Sequence, residues 1–190
     1  MIRYLFLAVS TVFTTGCAFT PQAIKIAPAV SVTSSQIGGG RDMALNVVDE
    51  RPKKTLGTVG ARGVGADISL ESDLVASVQR ALSDGLSKLN FKPSINRGAG
   101  RPELRVEIRN LDYTVIMGFW AGTLRVDAGL KAICLKGVTR PYEKLHSGTF
   151  VESVQIVQSK EANERYINTA VSAAVNSLLA DSDLITCLAQ

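Results

Sequence analysis

Few residues in this 190-residue chain are of types that do chemistry. It has three cysteines, Cys17, Cys134 and Cys187, and one histidine, His146. A cysteine can pack, react, bind a metal or mark the start of a mature chain, so spacing has to choose among these. The three fit no zinc-ligand pattern. His146 stands beside Ser147 in a stretch that alternates like a strand. It has no carboxylate placed for it and no nucleophile elbow near it. A lone histidine of this kind is expected to be structural or exposed. The acids are dispersed. Asp49 and Glu50 end a strand next to Arg51, where a salt bridge or turn is expected, and Asp127 lies on a polar strand face. No pair stands out as a general acid and base. The run "PKKTLGTVGARGVGAD" (52–67) is rich in glycine and carries Lys53, Lys54 and Arg62. It lacks the ending of a P-loop and the GxGxxG spacing, so it reads as a flexible surface loop. A basic contact with an anionic partner or headgroup is the second reading. No enzyme, metal site or cofactor is expected.

What remains is Cys17 and the segment before it, "MIRYLFLAVSTVFTTGC". Arg3 gives a positive start, Tyr4 to Phe13 an apolar run, and Thr14, Thr15 and Gly16 a small-residue approach. That is the layout of a secretory signal. The apolar run is too short to cross a bilayer core, which takes ~20 residues. Small residues directly before a cysteine resemble a bacterial lipoprotein lipobox. There the cysteine sulfur receives a diacylglyceryl group, and cleavage between Gly16 and Cys17 leaves the cysteine first, its new amine usually acylated. Gly16 and Thr15 suit the pattern; Thr14 stands where leucine is usual. Aspartate after the cysteine commonly marks inner-membrane retention, so Ala18 implies the outer membrane and a domain facing the periplasm. One acyl chain holds a protein only marginally, at ~0.8 kcal/mol per buried CH₂, whereas two or three make release very slow.

This divides the chain into a signal peptide (1–16), a lipidated N-terminus and tether (17–28) and one periplasmic domain (29–190), long enough for a real core. With Cys17 lipidated, Cys134 and Cys187 remain as an even pair in an oxidising compartment. A disulfide between them and two separately buried thiols are both open. The formal charge of +4 is small and scattered, which is no nucleic-acid footprint.

The elements that must carry these residues follow from periodicity. "AVSVTSS" (29–35) reads as a first strand, "QIGGGRD" (36–42) as a turn and "MALNVVDER" (43–51) as a strand. Residues 72–90 form a helix, with Leu74, Val78, Leu82, Leu86 and Leu89 as its stripe, Ser72 as N-cap and Gly85 as a weak spot. Residues 102–117 alternate as a strand, but the apolar phase slips between Leu104, Val106, Ile108 and Leu111, Tyr113, Val115, as at a β-bulge. Residues 123–136 are the clearest strand and aim Cys134 at the core. A turn at 138–143 leads to a third strand (144–157) with Phe150, Val154 and Ile156 on one face. A helix over 163–181 follows, and Leu184, Ile185 and Leu188 pack as a short tail. The sum is an α+β domain: an antiparallel sheet, made of a three-strand meander plus one or two N-terminal strands, with two helices on one face.

The hairpin "VIMGFWAG" (115–122) is unusual, because hairpin tips are normally polar. Met117, Phe119 and Trp120 either fold over the end of the core or form an exposed tip that docks on a partner or dips into lipid. Taken together, "IKIAPAVSV", "ALNVVDERP", "LVASVQRALSDGLSKLNFKP", "LRVEIRNLDYTV" and "NTAVSAAVNSLLADSDLI" resemble the YajG-type lipoproteins of Gram-negative bacteria. The resemblance includes the cleaved signal with Cys17 and brings no catalytic residue. The element order is also similar to small domains of other envelope lipoproteins that bind partners, so membrane attachment through Cys17 and an envelope protein partner are expected. The expected function is a non-enzymatic interaction or assembly module. A binding protein for a small envelope ligand, a lipid or glycan fragment, is the alternative.

Overall fold

A computed structural model describes residues 20–61, 64–95, 100–118, 121–154 and 158–190. The strands are β1 (Gln22–Ile24), β2 (Arg41–Asp49), β3 (Gly57–Ala61), β4 (Val64–Leu70), β5 (Phe91–Ser94), β6 (Glu103–Met117), β7 (Gly122–Lys136) and β8 (Thr139–Val154). The helices are α1 (Leu74–Lys88), α2 (Lys160–Leu179) and α3 (Ser182–Ala189).

The expected meander is present. β6, β7 and β8 pair antiparallel, and the register shifts between Ile108 and Asn110 where the apolar phase slips. The first half of β6 pairs parallel with β2, which pairs parallel with β5, giving the order β5-β2-β6-β7-β8. The sheet is therefore mixed, because α1 carries the chain back across it before β5. A second sheet, β1-β4-β3, lies over the far half of β6, where Tyr113 N–H donates to Leu56 O at 2.9 Å.

The stripes bury as their spacing predicts. Leu74, Val78, Leu82 and Leu86 of α1, and Ile167, Val171, Ala174, Val175 and Leu178 of α2, meet Leu104, Val106, Leu124, Val126 and Leu130 of the sheet. The outer sheet face is charged and carries the pairs Arg105–Glu107, Arg125–Asp127 and Lys131–Glu143.

Four expectations are corrected. Asp73, not Ser72, caps α1, accepting from Val75 N–H and Ala76 N–H; the Ser72 hydroxyl instead accepts from Ile26 N–H. Residues 52–67 are no free loop, since they build β3 and the start of β4. Residues 22–28 are no free tether, since β1 forms there and Ile24 and Ile26 are buried. Residues 29–35 are no strand: the chain from Lys25 to Ser31 lies extended along α2, and side chains of that helix take its backbone hydrogen bonds. Lys25, Ala27, Ala29 and Ser31 N–H donate to Glu164, Asn168, Ser172 and Asn176, each at 2.7–2.9 Å. Two residues of extended chain span about 6.6 Å and four of helix about 6 Å, so the two repeats stay in step. The extended segment thus needs no strand neighbour to satisfy its donors.

Candidate functional site

A buried network holds the first strand of the described chain. Asn163, fully buried in the first turns of α2, accepts from the Tyr113 hydroxyl at 2.8 Å and donates to Gln22 Oε1 at 2.8 Å. Gln22 Nε2 donates in turn to Gln158 O at 3.0 Å. Burial drives the Tyr113 phenol well above its usual range, so it stays a neutral donor. Gln22 is thereby held at the end of the sheet where β6 turns into β7. Gly16, Cys17 and Thr14, with Ala18, lie outside the described residues.

At the same end, Gly118 N–H donates to Ala121 O at 2.9 Å and closes the β6–β7 turn. Ile116 is 70% exposed and Met117 38% exposed. Phe119 and Trp120 lie outside the described residues, as does Ile156. The β3–β4 hairpin reaches the same end. Gln22 pairs parallel with Ile68, and β4 begins at Val64, further back on the side from which β1 enters. The network residues were missed in the sequence. The neighbouring extended segment had one signal, the polar row Glu164, Asn168, Ser172 and Asn176 on α2 that takes its backbone donors.

Cys134 and Cys187 are joined in a disulfide that ties α3 to β7. Nearby, His146 is buried on β8, with Nε2 2.9 Å from the Tyr142 hydroxyl and Nδ1 3.4 Å from Ser177 Oγ. Among the described residues, no carboxylate is hydrogen-bonded to the ring, the place an orienting acid takes in a triad. Asp181 sits close by but is engaged as the N-cap of α3 and by Lys144 at 2.7 Å. Burial alone would raise its carboxyl, but Lys144, the Leu184 N–H and Tyr142 hold it at about 2. Asp49 is also held at about 2, first by the Arg51 guanidinium, which grips both its oxygens at 2.9 and 3.0 Å. Asp49 and Arg51 thus form the expected salt bridge.

Burial lowers the His146 pKa from its ordinary 6.5, with Asp181 opposing and Lys144 assisting. The unfolded chain therefore binds the proton first as pH falls. Stability is full above 6.5 and declines below it, toward the lower native value. The two aspartates act in a separate window: their stabilisation is present above the ordinary 3.8 and is lost as pH falls toward 2. Urea midpoints measured across the first window are expected to fall with acid in the natural protein and to stay flat in His146→Gln.

Among the described residues, the helices pack closely on the sheet. A residual cavity of about 10 Å³ beside Val78, Ile108, Leu130 and Val171 is the size of one water. An open groove of about 490 Å³ lies instead along the outer side of α1, against Pro93 and Ile95 at the β5 edge. Among the described residues, no group of three or more His, Cys, Asp or Glu is placed to hold a metal, and no single helix is long and apolar enough to cross a membrane.

Comparison with known proteins gives a family and a fold. A family model described as "Uncharacterized lipoprotein" matches residues 28–189. No curated protein matches the chain. Among solved structures, a Xanthomonas campestris protein of the family DUF330 is similar at 8% identity and a TM-score of 0.51, over 84% of this chain and 91% of that one. A minor lipoprotein from Acinetobacter baumannii is similar at 10% identity and a TM-score of 0.48, over 74% and 91%. A neuraminyllactose-binding hemagglutinin homolog from Helicobacter pylori is similar at 10% identity and a TM-score of 0.44, over 84% and 94%. At these identities the first likeness speaks for the fold alone.

Proposed function

Because the chain belongs to this family of uncharacterized lipoproteins, we propose that it is anchored in the outer membrane by lipid on Cys17. Its domain faces the periplasm and serves as a non-enzymatic interaction or assembly module with an envelope protein partner. The quoted segments support reading it as a YajG-type lipoprotein. The observation that carries the reading is Gly16-Cys17 placed five residues before Gln22, where β1 leaves the domain at one end. An anchor there leaves the charged sheet face and the groove beside α1 open to other molecules. The His146 ring, buried and without a carboxylate, supports a structural rather than a catalytic part for the one histidine.

Cys17→Ala is expected to leave a precursor that keeps residues 1–16 and incorporates no labelled palmitate, and globomycin is expected to have the same effect on cleavage. A Cys17→Ala protein that is still cleaved and still sediments with outer membranes would sink the anchoring claim.

The groove favours a second reading, a binding protein for a small envelope ligand such as a lipid or glycan fragment. Chemical-shift changes confined to Arg80, Ser83 and Ile95 on titration with such fragments would select it. Unchanged spectra at millimolar fragment would discard it.

A further inference from the structure

We infer that the β6–β7 hairpin end of the domain rests against the bilayer that holds the anchor, so that Ile116 and Met117 form a second, non-covalent lipid contact. The inference rests on Cys17 being lipidated and goes beyond it, because an anchor by itself leaves the domain free to tumble on its tether.

The geometry starts from where the described chain begins. Gln22 is pinned through Asn163 to Tyr113 on β6. Met117 lies four residues further along the same strand, ~13 Å toward the turn. A second route agrees: Met117 pairs with Gly122 and Gly122 with Val154, four residues before the Gln158 whose carbonyl holds Gln22. β1 runs from Gln22 into the domain and continues along α2 toward its C-terminus. The described chain therefore begins at the hairpin end.

The tether is short. Four residues lie between Cys17 and Gln22, and a fully extended chain covers ~17 Å over those five steps. A folded domain is ~30 Å across, so no folded partner fits between this end and the membrane. Lipid headgroups do fit. Two apolar side chains face them at the last two residues of β6: Ile116 is 70% exposed and Met117 38%. Side chains of this kind at a water–lipid boundary move their apolar area out of water. The opposite end of the sheet supplies an internal control. There the β7–β8 turn carries Val138, 99% exposed and at the far end of the long strands from Met117.

The test uses the mature, lipidated protein in vesicles of phosphatidylethanolamine and phosphatidylglycerol that contain a doxyl-labelled lipid. Met117→Cys and Val138→Cys variants carry a bimane label attached after folding. Lipid quenching at position 117 is expected to exceed that at 138 several-fold. Ile116→Asn in the Met117→Cys background is expected to lower the quenching without changing thermal unfolding or flotation with the vesicles. Equal and weak quenching at both positions, in protein that still floats, overturns the hairpin contact and leaves the anchor standing. Protein that does not float overturns the anchor and this inference with it. An unquenched label at 117, together with a protein crosslinked to that position in intact cells, overturns the lipid contact in favour of a protein one.

Discussion

Removing the Cys134–Cys187 bond is expected to cost the folded domain about 4 kcal/mol, on the chain-entropy estimate for a closed loop of this length. The two cysteines are 53 residues apart, and the loop between them holds all of β8 and α2. Opening it frees a large part of the unfolded chain and only a little of the folded one. In the folded state the loss concentrates on α3. That helix has eight residues, too few to be stable alone. It is held by Leu184, Ile185 and Leu188 packed into the core, by the Asp181 cap and by this bond. A Cys134→Ala, Cys187→Ala protein should therefore show a lower urea midpoint, a melting temperature lower by roughly 10 °C, and faster amide exchange in α3 before any other helix. Mass spectrometry without reductant gives the prior check. Two free thiols in the natural protein would remove the basis of the claim, and an unchanged urea midpoint in the double variant would refute its size.

The pairing of those cysteines shows how far the sequence carried. Three cysteines with one committed to lipid left a single possible bridge, and strand alternation aimed Cys134 inward, but whether the bond forms needed the position of α3. The long elements were legible because each carries enough repeats for its period to show: the stripes of α1 and α2, the alternation of β7, and even the bulge at Arg109, which displaced the apolar phase by one residue. The second sheet was not. β1 has three residues, and β3 and β4 contain Gly57, Gly60 and Gly65, so neither shows a face. Their pairing joins segments more than forty residues apart, Gln22 with Ile68. The extended run from Lys25 to Ser31 was read as tether and strand for the same reason: its partners are side chains on a helix about 140 residues away, and no local rule proposes them. Of the candidate site, Cys17 lies outside the described residues and rests on its motif. That Ile116 and Met117 stand at the end where the described chain begins was not legible, since it depends on Asn163 joining Gln22 to Tyr113.

Gly148→Ala is expected to destabilise the domain by about 2–3 kcal/mol, although the change adds one methyl group to a strand that alanine would ordinarily suit better than glycine. Gly148 is buried on the face of β8 that meets α2. A Cβ there would overlap the backbone carbonyl oxygen of Ala170, lie 2.6 Å from the backbone nitrogen of Ala174 and 2.9 Å from Ala173 Cβ. The helix is alanine-rich at this point, so its backbone rests almost directly on the strand. Main-chain atoms locked in helical hydrogen bonds cannot rotate away as a side chain can, and relief requires α2 to move as a body. That movement would loosen the Phe150–Tyr166 stack, whose ring centroids are 4.8 Å apart, and the contact between His146 and Ser177. Gly129 on β7 gives the contrast. A Cβ there would meet the side-chain oxygen of Asn110, whose amide donates to Asp127 O at 3.2 Å. Turning that amide aside loses one hydrogen bond, about 1 kcal/mol. Urea unfolding should therefore rank Gly148→Ala well below Gly129→Ala. Adding Ala173→Gly to Gly148→Ala should recover little, because the closest contacts are with the backbone of Ala170 and Ala174. Full recovery in that double variant would mean that the Ala173 methyl alone sets the spacing, and the backbone account would be wrong.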